Sequence, residues 1–470
     1  GSSIPAGVTV NVDPSNTTTL GNMTLQLPST FTNAGTLNLS ATGQNHNIVI
    51  EGDTLANTGT LNINPGPTAD GQRELGLSLN NSGTLNINAS TTMDDSLTNT
   101  GDITIATGKS LSSRSGWTGS FTQSDGTLTI NGSLVLDGRE FYDNGGTIVG
   151  AVTLSSNNGS SALNFASTPA SGGTFNFVGA NTSTDNYYDA QIEGSSIPAG
   201  VTVNVDPSNT TTLGNMTLQL PSTFTNAGTL NLSATGQNHN IVIEGNTLTN
   251  TGTLNVNPGP SADGQRELNL FLNNSGDLNI NASTTLNAGL VNSGTLTIGS
   301  NSIFDVNELV KNTGLIDLAG GELKIDYAYN GRSTILPQIN AAYDHGAWDG
   351  KSGVGSSLAS THLGTGVGYG YVNSAYTVMY TWLGDTNLDG VVDGTDLLNM
   401  APVGATNATW SMGDFNYDGI VNQDDYSLLL FGLAESGGIN ISTTLPEPTG
   451  LTLAAAAIVA LLPRRRRVTP

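Results

Sequence analysis

Hydrophobic and polar positions in this chain repeat in a short phrase, clearest at residues 57–63, Asn-Thr-Gly-Thr-Leu-Asn-Ile. After the glycine, polar and apolar residues alternate with the period of two that is typical of a β-strand. Asn and Gly tolerate the positive φ that a sharp corner often requires. The phrase therefore predicts a strand, a tight turn and a second strand. It returns at residues 33–39, 81–87, 99–105, 226–232, 250–256, 274–280, 292–298 and 312–318.

The spacing of the phrase predicts how these strands assemble. Gly35, Gly59 and Gly83 are 24 residues apart, and Gly101 follows after 18. A period of roughly 20–25 residues, in units that cannot bury their own apolar face, indicates a solenoid. With two or three short strands per unit, we expect a parallel β-helix in which each Asn of the phrase stacks on the Asn of the preceding coil.

A larger duplication is superimposed on this repeat. Residues 1–52 reappear unchanged as residues 194–245, an offset of 194 − 1 = 193, and the match continues with substitutions to residues 92 and 285. Further strand-like runs lie between the copies, so we predict one β-helix array over residues 1–327. Because residue 1 lies inside a repeat unit, we expect either a fragment of a longer protein or a sequence that lacks its natural start.

The phrase is absent from residues 328–383. This region contains a Gly/Ser-rich stretch at 353–370 and an aromatic, β-prone run at 371–382. It is interpreted as a cap that closes the end of the array, with an independent small domain as the alternative.

Composition limits the classes of function. The chain carries 13 Lys and Arg against 37 Asp and Glu, a formal net charge of −24, and four of the basic residues are the arginines 464–467. This balance argues against nucleic-acid binding, which needs clustered basic residues. It suits an extracellular protein whose surface attracts divalent cations. With no Cys, the chain has neither a disulfide framework nor thiolate chemistry.

Two acidic segments carry the clearest candidate chemistry: the first calcium loop, residues 385–396, and the second calcium loop, residues 414–425. Both place oxygen-bearing side chains at loop positions 1, 3, 5, 9 and 12, and glycine at position 6. Such loops wrap oxygen ligands around a calcium ion, and position 7 contributes its backbone carbonyl. The pair predicts two Ca²⁺ ions. The candidate ligands are Asp385, Asn387, Asp389, Val391, Asp393, Asp396, Asp414, Asn416, Asp418, Ile420, Asn422 and Asp425.

A short helical run is expected after each loop, at residues 397–400 and 426–433. A duplicated loop–helix unit with Asp at position 12, in place of the usual Glu, resembles a type I dockerin over residues 384–435. The resemblance implies two bound calcium ions, folding on calcium binding and docking to a cohesin-like partner. The family's recognition positions, 10 and 11, are Gly394-Thr395 and Gln423-Asp424 here, unlike the paired Ser/Thr of the best-known dockerins. The predicted fold class is thus mainly β, a parallel β-helix followed by a small α-helical dockerin-like calcium module.

The C-terminal residues 445–470 contain Pro446-Glu447-Pro448, an apolar run over 451–462 and the four arginines. This order resembles the PEP-CTERM sorting signal. The resemblance implies recognition by an exosortase-type enzyme at the inner membrane, removal of the tail and delivery to the exterior. The apolar run is shorter than the ~17–25 residues that span a bilayer, so a transient insertion is expected. The arginines would hold the cytoplasmic side.

Some β-helix proteins cleave polysaccharides, and catalysis would require converging carboxylates or a basic side chain on one face. The candidates are the stretch 70–74, with Arg73, its copy 263–267, with Arg266, and the carboxylate pair Asp94-Asp95. A solvated loop tied by an ion pair is the favoured interpretation of the two arginine stretches. In the second copy the carboxylate pair is replaced by Asn287-Ala288.

Two functions remain open from the sequence. The favoured one is a non-catalytic, secreted or cell-surface β-solenoid that acts as a spacer, adhesin or matrix protein and attaches through its calcium module. The combination resembles secreted bacterial PEP-CTERM proteins with autotransporter-like β-repeats, of planctomycete type. The alternative is a component of a polysaccharide-degrading assembly, either carbohydrate-binding or a lyase or glycosidase, with an extracellular polysaccharide as its partner.

Overall fold

The computed structural model describes residues 2–14, 22–42, 46–66, 71–114, 119–156, 159–166, 169, 171–179, 187–207, 215–235, 239–259, 264–326 and 332–437. Strands make up 53% of the described residues and build a β-solenoid, which confirms the mainly β and parallel β-helix prediction. The sorting signal predicted at residues 445–470 lies outside the described residues.

The strands of the first copy are β1 (Ser3–Ile4), β2 (Thr9–Val12), β3 (Asn22–Gln26), β4 (Thr30–Asn33), β5 (Thr36–Leu39), β6 (Asn47–Asn57), β7 (Thr60–Ile63), β8 (Arg73–Asn81), β9 (Thr84–Ile87) and β10 (Thr91–Met93). The strands between the copies are β11 (Leu97–Asn99), β12 (Asp102–Ile105), β13 (Ser110–Ser113), β14 (Phe121–Gln123), β15 (Thr127–Ile130), β16 (Ser133–Asp137), β17 (Glu140–Asp143), β18 (Thr147–Val149), β19 (Ala151–Ser155), β20 (Ser161–Phe165), β21 (Thr174–Val178) and β22 (Tyr187–Ile192). The strands from the second copy onward are β23 (Ser196–Ile197), β24 (Thr202–Asp206), β25 (Asn215–Gln219), β26 (Thr223–Asn226), β27 (Thr229–Leu232), β28 (Asn240–Asn250), β29 (Thr253–Val256), β30 (Arg266–Asn274), β31 (Asp277–Ile280), β32 (Thr284–Asn292), β33 (Thr295–Gly299), β34 (Ile303–Asn312), β35 (Leu315–Ala319) and β36 (Glu322–Asp326).

Successive strands occupy three faces in rotation, and each strand pairs in parallel with the strand one coil away. Face A contains β3, the first halves of β6 and β8, and β10, β13, β16, β19, β21, β24, β27, β29, β31, β33 and β35. Face B contains β1, β4, the second halves of β6 and β8, β11, β14, β17, β20, β22, β25, the first halves of β28, β30, β32 and β34, and β36. Face C contains β2, β5, β7, β9, β12, β15 and β18, and later β23, β26 and the second halves of β28, β30, β32 and β34.

Alternation along each strand fills the interior with aliphatic side chains. Leu61 and Ile63 of β7 are fully buried, while the alternate residues Thr60 and Asn62 face outward. Each coil therefore covers the apolar face of its neighbour, as the repeat predicted.

The glycine of the phrase has a different role from the one expected. Gly35, Gly59 and Gly83 do not adopt positive φ. A Cβ at Gly59 would instead collide with the carbonyl oxygen of Gly35 in the preceding coil. Glycine is needed at this corner because consecutive coils approach backbone to backbone.

The predicted asparagine ladder is present inside the solenoid. Asn33 Nδ2 donates to Asn57 Oδ1 at 2.7 Å, and the same bond continues to Asn81, Asn99 and the Oε1 of Gln123. A second ladder runs through Asn226, Asn250, Asn274, Asn292 and Asn312 at 2.8–2.9 Å. Buried amides thus satisfy one another along the axis.

The two copies do not occupy equivalent faces. The phrase strands β5, β7 and β9 lie on face C, whereas the corresponding strands β27, β29 and β31 lie on face A. The 193 residues between equivalent positions of the two copies therefore span a whole number of coils plus one further face. As a result, the second copy is rotated by a third of a turn about the solenoid axis.

The C-terminal end of the solenoid is covered. The remaining elements are α1 (Arg332–Tyr343), β37 (Gly353–Gly355), β38 (Thr365–Val372), β39 (Ala375–Trp382), α2 (Gly394–Asn399) and α3 (Gln423–Glu435), with two short 3₁₀ turns. Helix α1 buries Ile335 and Ile339, and its Gln338 Oε1 accepts the last bond of the second ladder from Asn312 at 3.1 Å. The β38–β39 hairpin extends face B, because β39 pairs antiparallel with β36. The sequence interpretation of residues 328–383 as a cap does not include the helix α1, which here covers the last coil together with the hairpin. Among the described residues, no helix is both long and apolar enough to cross a membrane.

Candidate calcium-binding loops

Both terminal carboxylates of the first calcium loop are buried and accept hydrogen bonds from the loop itself. Asp396 Oδ1 accepts from Thr386 N at 2.8 Å, and its Oδ2 accepts from Asp393 N at 2.8 Å. Asp385 Oδ2 accepts from Gly390 N at 3.0 Å. These bonds fold the loop around its own acidic side chains.

The second calcium loop repeats this arrangement. Asp425 Oδ1 accepts from Phe415 N at 2.8 Å, and its Oδ2 accepts from Asn422 N at 2.9 Å. Asp414 Oδ2 accepts from Gly419 N at 3.1 Å. The other oxygen of Asp414, Oδ1, is buried and accepts no hydrogen bond from the described residues.

The backbone explains why the two loops share a shape. At position 4, Leu388 and Tyr417 have φ of 61° and 62°, and at position 6, Gly390 and Gly419 have φ of 84° and 81°. Glycine favours this left-handed conformation, whereas it is rare for Leu or Tyr. The recurrence of both dihedrals shows that the loops are two copies of one turn.

Each loop passes directly into a helix through a capping box. Asp393 accepts from Thr395 N at 2.7 Å at the start of α2, and Asn422 accepts from Asp424 N at 2.7 Å at the start of α3. The helices begin earlier than the predicted 397 and 426 because the last loop residues are already helical. The predicted recognition positions, 394–395 and 423–424, lie exposed in the first turns of these helices.

Without a bound cation, the buried carboxylates destabilise the folded loops. Burial raises the pKa of Asp414 to about 6, and it also raises the pKa values of Asp385 and Asp425. Residues 384–435 contain no Lys, Arg or His, so this segment supplies no positive charge of its own. Buried carboxylates without a counter-charge favour either protonation or a bound cation.

The donor set fits calcium in type. All candidate ligands offer oxygen, the atom that Ca²⁺ takes from carboxylates, amides and backbone carbonyls. The buried Asp414 Oδ1, which accepts no bond, is an oxygen that a cation would satisfy. In the part of the chain that the structure describes, no three His, Cys, Asp or Glu side chains are arranged to share a metal ion. The acidic groups are turned toward loop amides, and each carboxylate retains further lone pairs.

Sequence reasoning missed how closely these loops join the cap. The ring of Tyr417 lies 4.8 Å from that of Tyr343 in α1 and 5.8 Å from that of Trp410, measured between centroids. The hydroxyl of Tyr417 donates to Val367 O of β38 at 2.8 Å. The sequence carries a signal of this packing, because Gly366, Gly368 and Gly370 alternate along β38.

The candidate catalytic arginines have structural contacts. Arg73 is 1% exposed, and its guanidinium donates to His46 O at 2.8 Å and to Asn64 O at 3.1 Å. Arg266 repeats these contacts with His239 O at 2.8 Å and Asn257 O at 3.2 Å. Within the solvated loop expected from the sequence, the arginine side chain itself is therefore buried, and backbone carbonyls accept from each guanidinium. Residues 70 and 263 lie outside the described residues.

The carboxylate pair of the first copy divides between two environments. Asp94 is 5% exposed and pairs with Arg114, Oδ2 to Nη1, at 2.9 Å, whereas Asp95 is exposed. Arg114 also pairs with Glu74 at 2.8 Å. The sequence pair therefore does not form two equivalent carboxylates on one surface.

No protein-family model, curated protein or solved structure matches this chain. The dockerin and PEP-CTERM resemblances thus rest on the motif residues themselves.

Proposed function

We propose that the protein is a non-catalytic, secreted or cell-surface β-solenoid that serves as a spacer, adhesin or matrix component. Its C-terminal loops bind two Ca²⁺ ions and form a dockerin-like attachment module. The observation that carries the proposal is the duplicated oxygen-lined loop, with buried carboxylates and an unpartnered Asp414 Oδ1. A rigid, self-stacked rod with an ion-dependent end suits a structural role better than catalysis.

The chemistry of the loops supports this role. Calcium would be held by the side-chain oxygens of positions 1, 3, 5, 9 and 12 and by the carbonyls of Val391 and Ile420. When bound, it supplies positive charge to a segment that has none. The loop residues position the ligands: the capping boxes orient Asp396 and Asp425, and the left-handed turns bring the acidic side chains close together.

Attachment and location extend the proposal through the two resemblances. The exposed first turns of α2 and α3 would present the docking surface to a cohesin-like partner. The tail at 445–470 would direct the protein to the cell exterior through an exosortase-type enzyme. Mass spectrometry of the native C-terminus should find the arginines 464–467 removed, and an intact tail on the exported protein would contradict this route.

The polysaccharide-cleaving alternative loses its best basic candidates. Arg73 and Arg266 are each 1% exposed and donate to main-chain carbonyls, so neither is presented at the surface as a base. We therefore propose polysaccharide as a binding partner of the rod and do not propose its cleavage.

Isothermal titration of the full chain with CaCl₂ tests the calcium assignment. We expect two ions to bind. The double variant Asp385→Asn/Asp396→Asn should lose one ion, and Asp414→Asn/Asp425→Asn should lose the other. Asp53→Asn is the matched control, because the second copy carries Asn246 at that position. The proposal fails if the wild type binds no calcium or if both double variants retain two ions.

A further inference from the structure

The cap and the calcium loops share one hydrophobic core. Trp410 is fully buried, its ring lies 5.0 Å from that of Phe415, and its Nε1 donates to Asp385 O in the first loop. Tyr343 of α1 and Trp348 of the cap lie 5.1 Å apart, ring to ring, in the same cluster. The predicted boundary at residue 384 thus runs through continuous packing.

A row of glycines in the cap receives this cluster. Gly366, Gly368 and Gly370 alternate along β38, so they lie on one side of the strand. A Cβ at Gly368 would collide with Leu388 Cδ2 and would lie 3.0 Å from Trp410 Nε1. A Cβ at Gly370 would approach Leu388 Cδ1 only to 3.5 Å, an ordinary contact. Side chains of the loops therefore pack directly on the hairpin backbone at Gly368.

The residue at position 4 of each loop contacts strand β38. Leu388 is the position-4 residue that packs on Gly368, and Tyr417 is its counterpart in the second loop. The Tyr417 hydroxyl donates to Val367 O at 2.8 Å and accepts from Val367 N at 3.2 Å. Tyr417 is followed by the candidate ligand Asp418 and preceded by Asn416. Its buried ring therefore fixes the backbone that carries two ligand positions.

We propose that Tyr417 is a positioning residue that couples calcium in the second loop to closure of the solenoid's C-terminal end. The inference rests on the calcium binding proposed above. The left-handed φ of Tyr417 and the fixed place of its ring together orient the neighbouring ligands toward the ion. The same ring contacts β38 and so holds the hairpin on the end of the solenoid. Because coupling between two equilibria is reciprocal, calcium should stabilise the hairpin, and the hairpin should strengthen calcium binding.

The test uses the full chain and two readouts, calcium affinity by titration and hydrogen exchange of the hairpin 365–382 with and without Ca²⁺. Tyr417→Phe keeps the ring and removes both hydrogen bonds to Val367. Because losing these bonds loosens the backbone that carries the ligands, we expect calcium affinity at the second loop to fall by about three- to tenfold. Calcium should slow exchange in the wild-type hairpin and do so less in Tyr417→Phe.

Matched variants separate coupling from general damage. Gly368→Ala should weaken calcium binding, whereas Gly370→Ala and Tyr426→Phe should leave it unchanged. Exchange in the solenoid strands β29 and β31 reports whether each variant is folded, and if Gly368→Ala does not fold, Tyr417→Phe decides.

The outcomes separate a failure of the proposed coupling from a failure of the proposed calcium binding. If the wild type binds no calcium, both are overturned. If the wild type binds two ions but hairpin exchange is independent of calcium, or Tyr417→Phe binds as tightly as the wild type, only the coupling is overturned. Loss of calcium-dependent protection together with weaker binding in Tyr417→Phe and Gly368→Ala, with both controls unchanged, supports it.

Discussion

The solenoid and the calcium loops both bury polar side chains, but they satisfy them in opposite ways. In the solenoid, Asn250 donates to Asn274 Oδ1 at 2.8 Å and accepts from Asn226 Nδ2 at 2.8 Å, so neutral amides complete one another. In the loops, Asp385, Asp396, Asp414 and Asp425 are all fully buried, and all are acidic. Amides can pair with copies of themselves, whereas carboxylates repel one another.

This difference gives the two regions different electrostatic costs for each added unit. An amide ladder grows by one coil at no electrostatic cost, and its stability is local to neighbouring coils. A cluster of buried carboxylates adds like charges with every copy, and a bound cation would offset their repulsion. The solenoid should therefore be insensitive to calcium, and the loops should depend on it.

The largest expected effect comes from removing calcium. At free calcium about 100 times the dissociation constant, one ion stabilises the folded loops by about 2.7 kcal/mol, which corresponds to about 100-fold slower exchange through local opening. Chelation with EDTA should therefore accelerate hydrogen exchange in α2 and α3 by about that factor. Exchange in β29, β31 and β33 should not change.

Hydrogen exchange read by mass spectrometry on the full chain checks this contrast, and Mg²⁺ replacement is a suitable control. Equal acceleration in the solenoid and in the loops would contradict the comparison. No acceleration anywhere would show that the carboxylates are satisfied without calcium.

A smaller effect is expected from breaking the ladder. Asn250→Ala leaves buried Asn274 Oδ1 and Asn226 Nδ2 each without one partner, and an orphaned buried group costs about 1–3 kcal/mol. Asn226 Nδ2 keeps its bond to Thr253 O, so only Asn274 Oδ1 is fully orphaned, and we expect the free energy of unfolding to fall by about 1–2 kcal/mol in urea titrations, equally with and without calcium.

Asn255→Ala is the matched control for this variant. Asn255 belongs to an outward ladder, with bonds of 2.7 Å to Asn231 and 2.8 Å to Asn279, but it is only half-buried, so water can replace its partners. Its loss should cost about 0.5–1 kcal/mol. Similar costs for Asn250→Ala and Asn255→Ala would mean that burial of the ladder contributes little.

Much of this contrast could be predicted from the sequence, because its causes are local. The phrase at 57–63 defines a corner, a strand and a ladder residue within seven residues, and the two calcium loops carry their candidate ligands at fixed spacing. The reason for the corner glycine was wrong, because the carbonyl that it must clear belongs to Gly35 of the preceding coil.

Relations between distant segments could not be predicted. The rotation of the second copy depends on the summed length of all the coils between the copies. The bond from Tyr417 to Val367 joins residues 50 apart, in segments with no shared pattern. The identical sequence is also buried differently in each copy: Val10 is 37% exposed, while its counterpart Val203 is fully buried beneath the preceding coil. Neighbouring coils set that burial.

The smallest effect is expected at Asp94, where the solenoid itself buries a carboxylate. Burial, followed by the neighbouring Glu74, raises the pKa of Asp94 to about 6 despite the lowering effect of Arg114. Since an unfolded Asp titrates near 3.9, the ionised carboxylate destabilises the fold above about pH 6, and this cost disappears as the pH falls toward about 4. Asp94→Asn, which introduces the residue type found at position 287 of the second copy, should remove that pH dependence.

Urea unfolding at about pH 5 and about pH 7.5 measures how the free energy of unfolding changes with pH. The same measurement on Asp94→Asn gives the contribution of all other groups, which is then subtracted. Relative to Asp94→Asn, the wild type should be more stable at the lower pH by on the order of 1 kcal/mol. Asp95→Asn, at the exposed neighbour, should keep the wild-type difference. If Asp94→Asn kept the stability difference between the two pH values instead, the pair with Arg114 would fully offset the burial of Asp94. The solenoid would then tolerate a buried carboxylate without a metal ion.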